Sequence, residues 1–165
     1  MSKNTLLKVF AVLAVLAIGF ASFTTLGGDD TVSGSAAGLP AVTGNAGQAP
    51  TITPPTGAAP ATLQTQDIII GTGTEVLPTS TLTVHYTLMA WSTGQIIESS
   101  WSSGQPATFP LAQVVEGWQL GLPGAKVGGR RLLILPPEMG YGAAGAGPIG
   151  PNETLIFVVD ILGVS

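Results

Sequence analysis

The stretch PLAQVVEGWQLGL, residues 110–122, carries the reading on which the fold turns. Its apolar residues Leu111, Val114, Val115, Trp118 and Leu122 recur at helical spacing and fall on one helix face. Pro110 suits a first-turn position, where its missing N–H leaves nothing unpaired. Gly121 and the Pro123-Gly124 pair end the run after about three turns. A helix this short is marginal in water, so its Val114, Val115 and Trp118 face must be held by a partner, expected to be strands that curve around it. Trp118 offers the largest apolar surface of the segment. Gly117 beside it gives up helix propensity so that another segment or a ligand can come close.

Working outward, the flanking segments read as strands. Asp67–Ile70 is a short β-branched run closed by Gly71-Thr72-Gly73, a strand and a turn. These glycines do not make a nucleotide loop, because neither a third glycine at dinucleotide spacing nor a Gly-Lys-Ser/Thr follows. Thr81–Trp91 alternates, with Leu82, Val84, Tyr86 and Leu88 on one face and Thr81, Thr83, His85 and Thr87 on the other, a half-buried antiparallel strand. His85 is therefore expected on an exposed polar face, with no nucleophile at motif spacing to complete a triad. Gln95–Glu98 and Pro106–Phe109 read as further short strands around the polar loop 99–105. Arg130–Leu135 is a strand ended by Pro136-Pro137, and Thr154–Val164 is the last. Between them the loop 139–151 holds Tyr141 among glycines and small apolar residues, a plausible lid over a site. The whole is an α+β domain, an antiparallel sheet of about five strands over one short helix.

Composition narrows the chemistry. Only 8% of residues are charged, the net charge is −4, and no block of Lys or Arg follows Lys8, so a nucleic-acid partner is not expected. With no cysteine and one histidine, disulfides, thiol nucleophiles and a Cys/His metal centre are excluded, and neither a metal nor a cofactor is expected. Residues 1–26 carry Lys3 and Lys8 ahead of an apolar run from Val9 to Phe23, the pattern of a cleaved secretory signal or of a retained membrane anchor. Residues 27–66 are Gly, Ala, Thr and Pro with few large apolar side chains and read as a disordered tether spanning on the order of 35 Å. Residues 67–165 form the folded domain, expected to be a monomer lying outside the cytoplasm. Asp67, Glu75, Glu116, Glu138, Glu153 and Asp160 read as solvated or paired surface charges.

Several separated motifs then coincide. Val84-His85-Tyr86-Thr87, Glu98-Ser99-Ser100, Val114-Val115-Glu116-Gly117-Trp118, Gly128-Gly129-Arg130-Arg131, Pro136-Pro137-Glu138-Met139-Gly140-Tyr141-Gly142 and Pro151-Asn152-Glu153-Thr154-Leu155-Ile156-Phe157 follow in order. Together they resemble the FKBP-type peptidyl-prolyl cis-trans isomerases over essentially all of residues 67–165. The resemblance implies a five-stranded antiparallel half-barrel around the short helix, with the pocket between helix and sheet. It implies Trp118 as the pocket floor under a proline ring, Tyr86, Phe109 and Phe157 as aromatic walls, and Val114, Val115 and Ile149 as further apolar lining. The Val115 N–H and the Tyr141 hydroxyl would bond substrate carbonyls, and Glu98 takes the place of an aspartate usual in the family. Ile97, also expected to contact the substrate, and Ala107 stand where phenylalanines are common, Gly150-Pro151 replaces a Pro-Pro, and loop 140–151 is one residue short.

The activity so implied is isomerisation of X-Pro bonds in exported polypeptides, assisting their folding, with Tyr86, Glu98, Trp118 and Tyr141 at its centre. A tethered module that binds proline segments without catalysis would use the same pocket, and a ligand-free structural domain would leave Tyr141 on its glycine-rich loop unexplained.

Overall fold

The computed structural model describes residues 38–165; the expected signal or anchor and the first part of the tether lie outside the described residues. Eight strands are described: β1 (Val42–Thr43), β2 (Thr51–Ile52), β3 (Gln64–Ile69), β4 (Thr81–Ala90), β5 (Ile96–Ser99), β6 (Ala107–Pro110), β7 (Arg130–Leu135) and β8 (Leu155–Val164). The helix α1 spans Glu116–Gly121. β3 to β8 form one antiparallel sheet in the order β3-β7-β8-β4, with β5 and β6 sharing the far edge of β4. Five positions across the sheet thus hold six strands, because the excursion 100–106 splits the edge in two. The sheet curves over α1, and Leu82, Val84, Tyr86, Leu88, Leu133, Leu135, Leu155, Phe157 and Val159 meet Trp118 and Leu122 in the main core.

The helix is shorter than its periodicity predicts. Pro110 ends β6, Leu111–Gln113 make a 3₁₀ turn, and Val114 and Val115 are extended, with ψ of 175° and 148°, before α1 begins at Glu116. Val114 and Val115 are nonetheless both buried in the main core. The Val114 carbonyl freed by the break accepts from Gln119 Nε2 at 2.7 Å. Gly117 and Gly121 lie four apart on the face laid against β7. A Cβ at Gly117 would overlap Leu135 Cγ, and one at Gly121 would overlap Leu133 Cδ2. The close neighbour that Gly117 admits is thus a strand side chain.

Two further expectations are corrected. His85 is buried: the 3₁₀ turn Ser100–Ser102 folds back over β4, Trp101 stacks on the imidazole with centroids 4.0 Å apart, and His85 Nδ1 lies 2.8 Å from Ser100 Oγ. Alternation identifies the face on which a residue lies but says nothing of what covers that face. Burial lowers the His85 pKa from its ordinary value, partly opposed by Asp160. The stretch read as a disordered tether as far as Gln66 is ordered in part: β1 and β2 pair antiparallel and bury Val42 and Ile52, and β3 begins at Gln64.

Among the acids, Asp160 is buried and paired with Arg130 at 2.7 Å, whereas Asp67 pairs with Arg131 at the surface and Glu153 accepts from the Ser92 amide and hydroxyl. The packing at Gly117 leads to a direct expectation. Gly117→Ala gains helix propensity worth about 1 kcal/mol, but overpacking Leu135 costs about 1–3 kcal/mol, so the net effect is a loss of up to about 2 kcal/mol. Urea denaturation should show a lower midpoint at unchanged slope.

Candidate active site

Between the concave face of the sheet and α1 lies a recess of about 360 Å³, measured with its open mouth and lined by Tyr86, Leu88, Glu98, Phe109, Val114, Val115, Trp118, Tyr141 and Phe157. Four of the five aromatic rings that line it meet through Trp118. Trp118 meets Tyr86, Phe109 and Phe157 edge to face, with centroids 5.8, 5.9 and 5.3 Å away and interplanar angles of 80°, 86° and 85°. Edge-to-face contact sets the positive edge of one ring against the negative face of another, which holds all four orientations at once. β4 supplies Tyr86, β6 Phe109, α1 Trp118 and β8 Phe157.

The polar groups are few. Tyr86 Oη donates to Glu98 Oε1 at 2.8 Å, so the longer glutamate side chain still reaches the phenol. Glu98 Oε2 and Trp118 Nε1 are buried without a hydrogen-bond partner. Burial raises the Glu98 pKa, and the Tyr86 hydrogen bond opposes the rise. Burial, and after it the Glu98 charge, also raises the Tyr86 and Tyr141 pKa values, so both phenols keep their protons throughout the neutral range. The Val115 N–H has no acceptor among the described residues, although Val115 is buried.

Tyr141 stands at the start of a 3₁₀ turn, Gly142–Ala144, inside a loop that is more regular than its composition suggests. Ala146 and Ile149 exchange both backbone hydrogen bonds, at 3.0 and 2.9 Å, and the Asn152 amide donates to the Gly142 carbonyl. Gly145 has φ of +64°, and a Cβ there would overlap the Ile149 carbonyl, so glycine is required.

Of the ten residues singled out in sequence, Tyr86, Glu98, Phe109, Val114, Val115, Trp118, Tyr141 and Phe157 line one cavity. Ile97 and Ile149 do not line it. Ile97 packs half-buried against the core from β5, and Ile149 is buried as the pin that holds the 139–151 loop down. Leu88 lines the recess too; its place on the same strand face as Tyr86 is the sequence signal for it.

A curved sheet, a short helix and an aromatic recess between them define a domain suited to holding a small apolar ring. Residues 73–162 match the FKBP-type peptidyl-prolyl cis-trans isomerase family, and the chain belongs to it. It is 46% identical over 96 residues to a probable FK506-binding protein of Corynebacterium glutamicum, covering 58% of this chain and 81% of the relative. It is 46% identical over 108 residues to an FK506-binding protein of Streptomyces anulatus, covering 63% and 87%. Among solved structures it resembles FkpA from Escherichia coli, with a TM-score of 0.59 and 37% identity over 62% of this chain and 48% of that one. It also resembles a peptidyl-prolyl cis-trans isomerase from Pseudomonas syringae, with a TM-score of 0.57 and 30% identity over 62% and 75%.

Because Glu98 binds its proton more tightly when folded, the folded state holds more protons than the unfolded one between the ordinary glutamate range and the raised value. Its contribution to stability therefore falls as pH rises through that window. Glu98→Gln keeps an acceptor for Tyr86 and removes the titration. The stability difference, wild type minus variant, should decline with rising pH in urea titrations from pH 4 upward; a difference independent of pH is the contrary result.

Proposed function

We propose that the domain catalyses cis-trans isomerisation of X-Pro bonds in polypeptides outside the cytoplasm, assisting their folding. The supporting observation is the recess itself, in which Tyr86, Phe109, Trp118 and Phe157 make an apolar box beside few polar groups. Placement outside the cytoplasm is supported by the N-terminal sequence, with Lys3 and Lys8 before the apolar run.

The uncatalysed X-Pro bond rotates over a barrier of ~18–20 kcal/mol because its C–N bond has partial double-bond character. Exchange then takes tens to hundreds of seconds. Rotation breaks that conjugation and reduces charge separation in the amide. A planar, more polar amide is better solvated by water than by an apolar wall, so transfer into the recess disfavours the ground state relative to the twisted state. Trp118 underlies the prolyl ring, with Tyr86, Phe109 and Phe157 around it. The Val115 N–H and the Tyr141 hydroxyl donate to the carbonyls on either side, fixing the flanking backbone while the amide turns. Glu98 holds the Tyr86 ring through its hydroxyl and so keeps that wall in place. No proton transfer or covalent intermediate is required.

Two-dimensional NMR exchange on a short X-Pro peptide tests this with the full chain in catalytic amount. Cis–trans cross-peaks should grow with wild type. Trp118→Ala should lower kcat/KM roughly tenfold or more, equivalent to ~1.4 kcal/mol of lost transition-state binding. Tyr141→Phe should lower it less, and the rate should not change between pH 6 and 9. Peptide shifts without faster exchange are the result that reassigns the pocket to proline-segment binding.

A further inference from the structure

β7 and β8 read RRLLIL and LIFVVDILGV, and no polar residue interrupts Leu132–Leu135 or Leu155–Val159. A strand with one face in water alternates apolar with polar; an unbroken apolar run belongs to a strand covered on both faces. Leu133, Leu135, Leu155, Phe157 and Val159 serve the core beneath α1. Their alternates Leu132, Ile134, Ile156 and Val158 are fully buried on the opposite, outer face, together with Met89 and Trp91. The cover over them comes from outside the family-matched region: Val42 and Ile52 are the buried residues of β1 and β2, with Leu39 packed at the margin.

Polar contacts fix the same segment in place. The buried Arg130 guanidinium donates through Nε and Nη2 to both Asp160 oxygens at 2.7 Å, and through Nη1 and Nη2 to the carbonyls of Gly44 and Gln48. The fork geometry of arginine allows one side chain to join β7, β8 and the turn between β1 and β2. Farther along, the Thr53 amide donates to the Ala41 carbonyl at 2.9 Å and Trp91 Nε1 donates to the Gly57 carbonyl at 3.3 Å. Pro54 lies against Gly94, where any Cβ would collide with the proline ring.

We propose that residues 39–57 are a strap integral to the folded unit, closing the outer face of the sheet and latched by Arg130, and that the stable domain therefore begins near Leu39. The strap and the recess lie on opposite faces of the sheet, the strap over Leu132, Ile134, Ile156 and Val158 and the recess against α1.

Register supplies the test, because adjacent strap residues differ only in which way they face. In the full chain, Ile52→Asp should lower the thermal midpoint by roughly 5–10 °C. Thr51→Asp, one residue away on the exposed face, should leave it within about 1 °C. Arg130→Lys, which keeps the charge but loses the fork, should lower the midpoint and speed exchange of the Thr53 amide. Should Ile52→Asp not fold, the unmodified chain still decides: its Thr53 amide should exchange at least about a hundredfold more slowly than an unstructured amide. Equal midpoints for the Ile52 and Thr51 variants, or Thr53 exchange at the unstructured rate, overturn the strap.

Discussion

Trp118 is the point at which sheet and helix are made to fit one another. Its ring makes T-shaped contacts with Tyr86, Phe109 and Phe157, contributed by three different strands, so its position is fixed from three directions. A six-residue helix has no independent stability in water. α1 persists because that indole is held, and because Gly117 and Gly121 let the helix backbone rest directly on Leu135 and Leu133. Val114 and Val115, extended rather than helical, are buried in the same core as the indole.

The recess is what this arrangement leaves unfilled, which ties stability to chemistry. The apolar side chains that hold the helix on the sheet also form the medium into which a prolyl amide would be transferred. Its few polar groups are correspondingly perturbed. Burial raises the pKa of Glu98, Tyr86 and Tyr141, and the Tyr86–Glu98 hydrogen bond offsets part of the cost of burying the carboxylate. A site that works by solvation and shape has little use for a titrating catalyst, in keeping with a chain that has no cysteine and a single histidine packed elsewhere.

The sheet is buried on both sides by different means. Its concave face is covered by α1 and the 139–151 loop, its outer face by Trp101 over His85 and by β1 and β2 over Leu132, Ile134, Ile156 and Val158. Between these outer covers, Asp160 lies in register with both His85 and Arg130, and burial of the Arg130–Asp160 pair is tolerated because further acceptors from the Gly44–Gln48 turn satisfy the guanidinium.

Much of this was legible in the residues. Period-2 alternation in Thr81–Ala90 marks Tyr86 and Leu88 as inward-facing, and Trp118 with its neighbouring glycines marks the helix that the sheet must accommodate. Seven of the ten named site residues lie in the ordered series of motifs and line one cavity, and Phe109 joins them from β6. Local pattern could not tell that Val114 and Val115 leave the helix, because a helical spacing of apolar residues is also satisfied by a break that buries both. Nor could it tell that His85 and Asp160 are covered, or that a Gly/Ala/Thr/Pro-rich segment with few large apolar residues, Val42 and Ile52 among them, would find a surface. By itself the sequence determined strand faces, turn positions and the chemical character of the site, since these depend on side-chain type at fixed local spacing. Only the tertiary structure decided which faces are covered and by what, because burial is a property of surfaces brought together from distant parts of the chain.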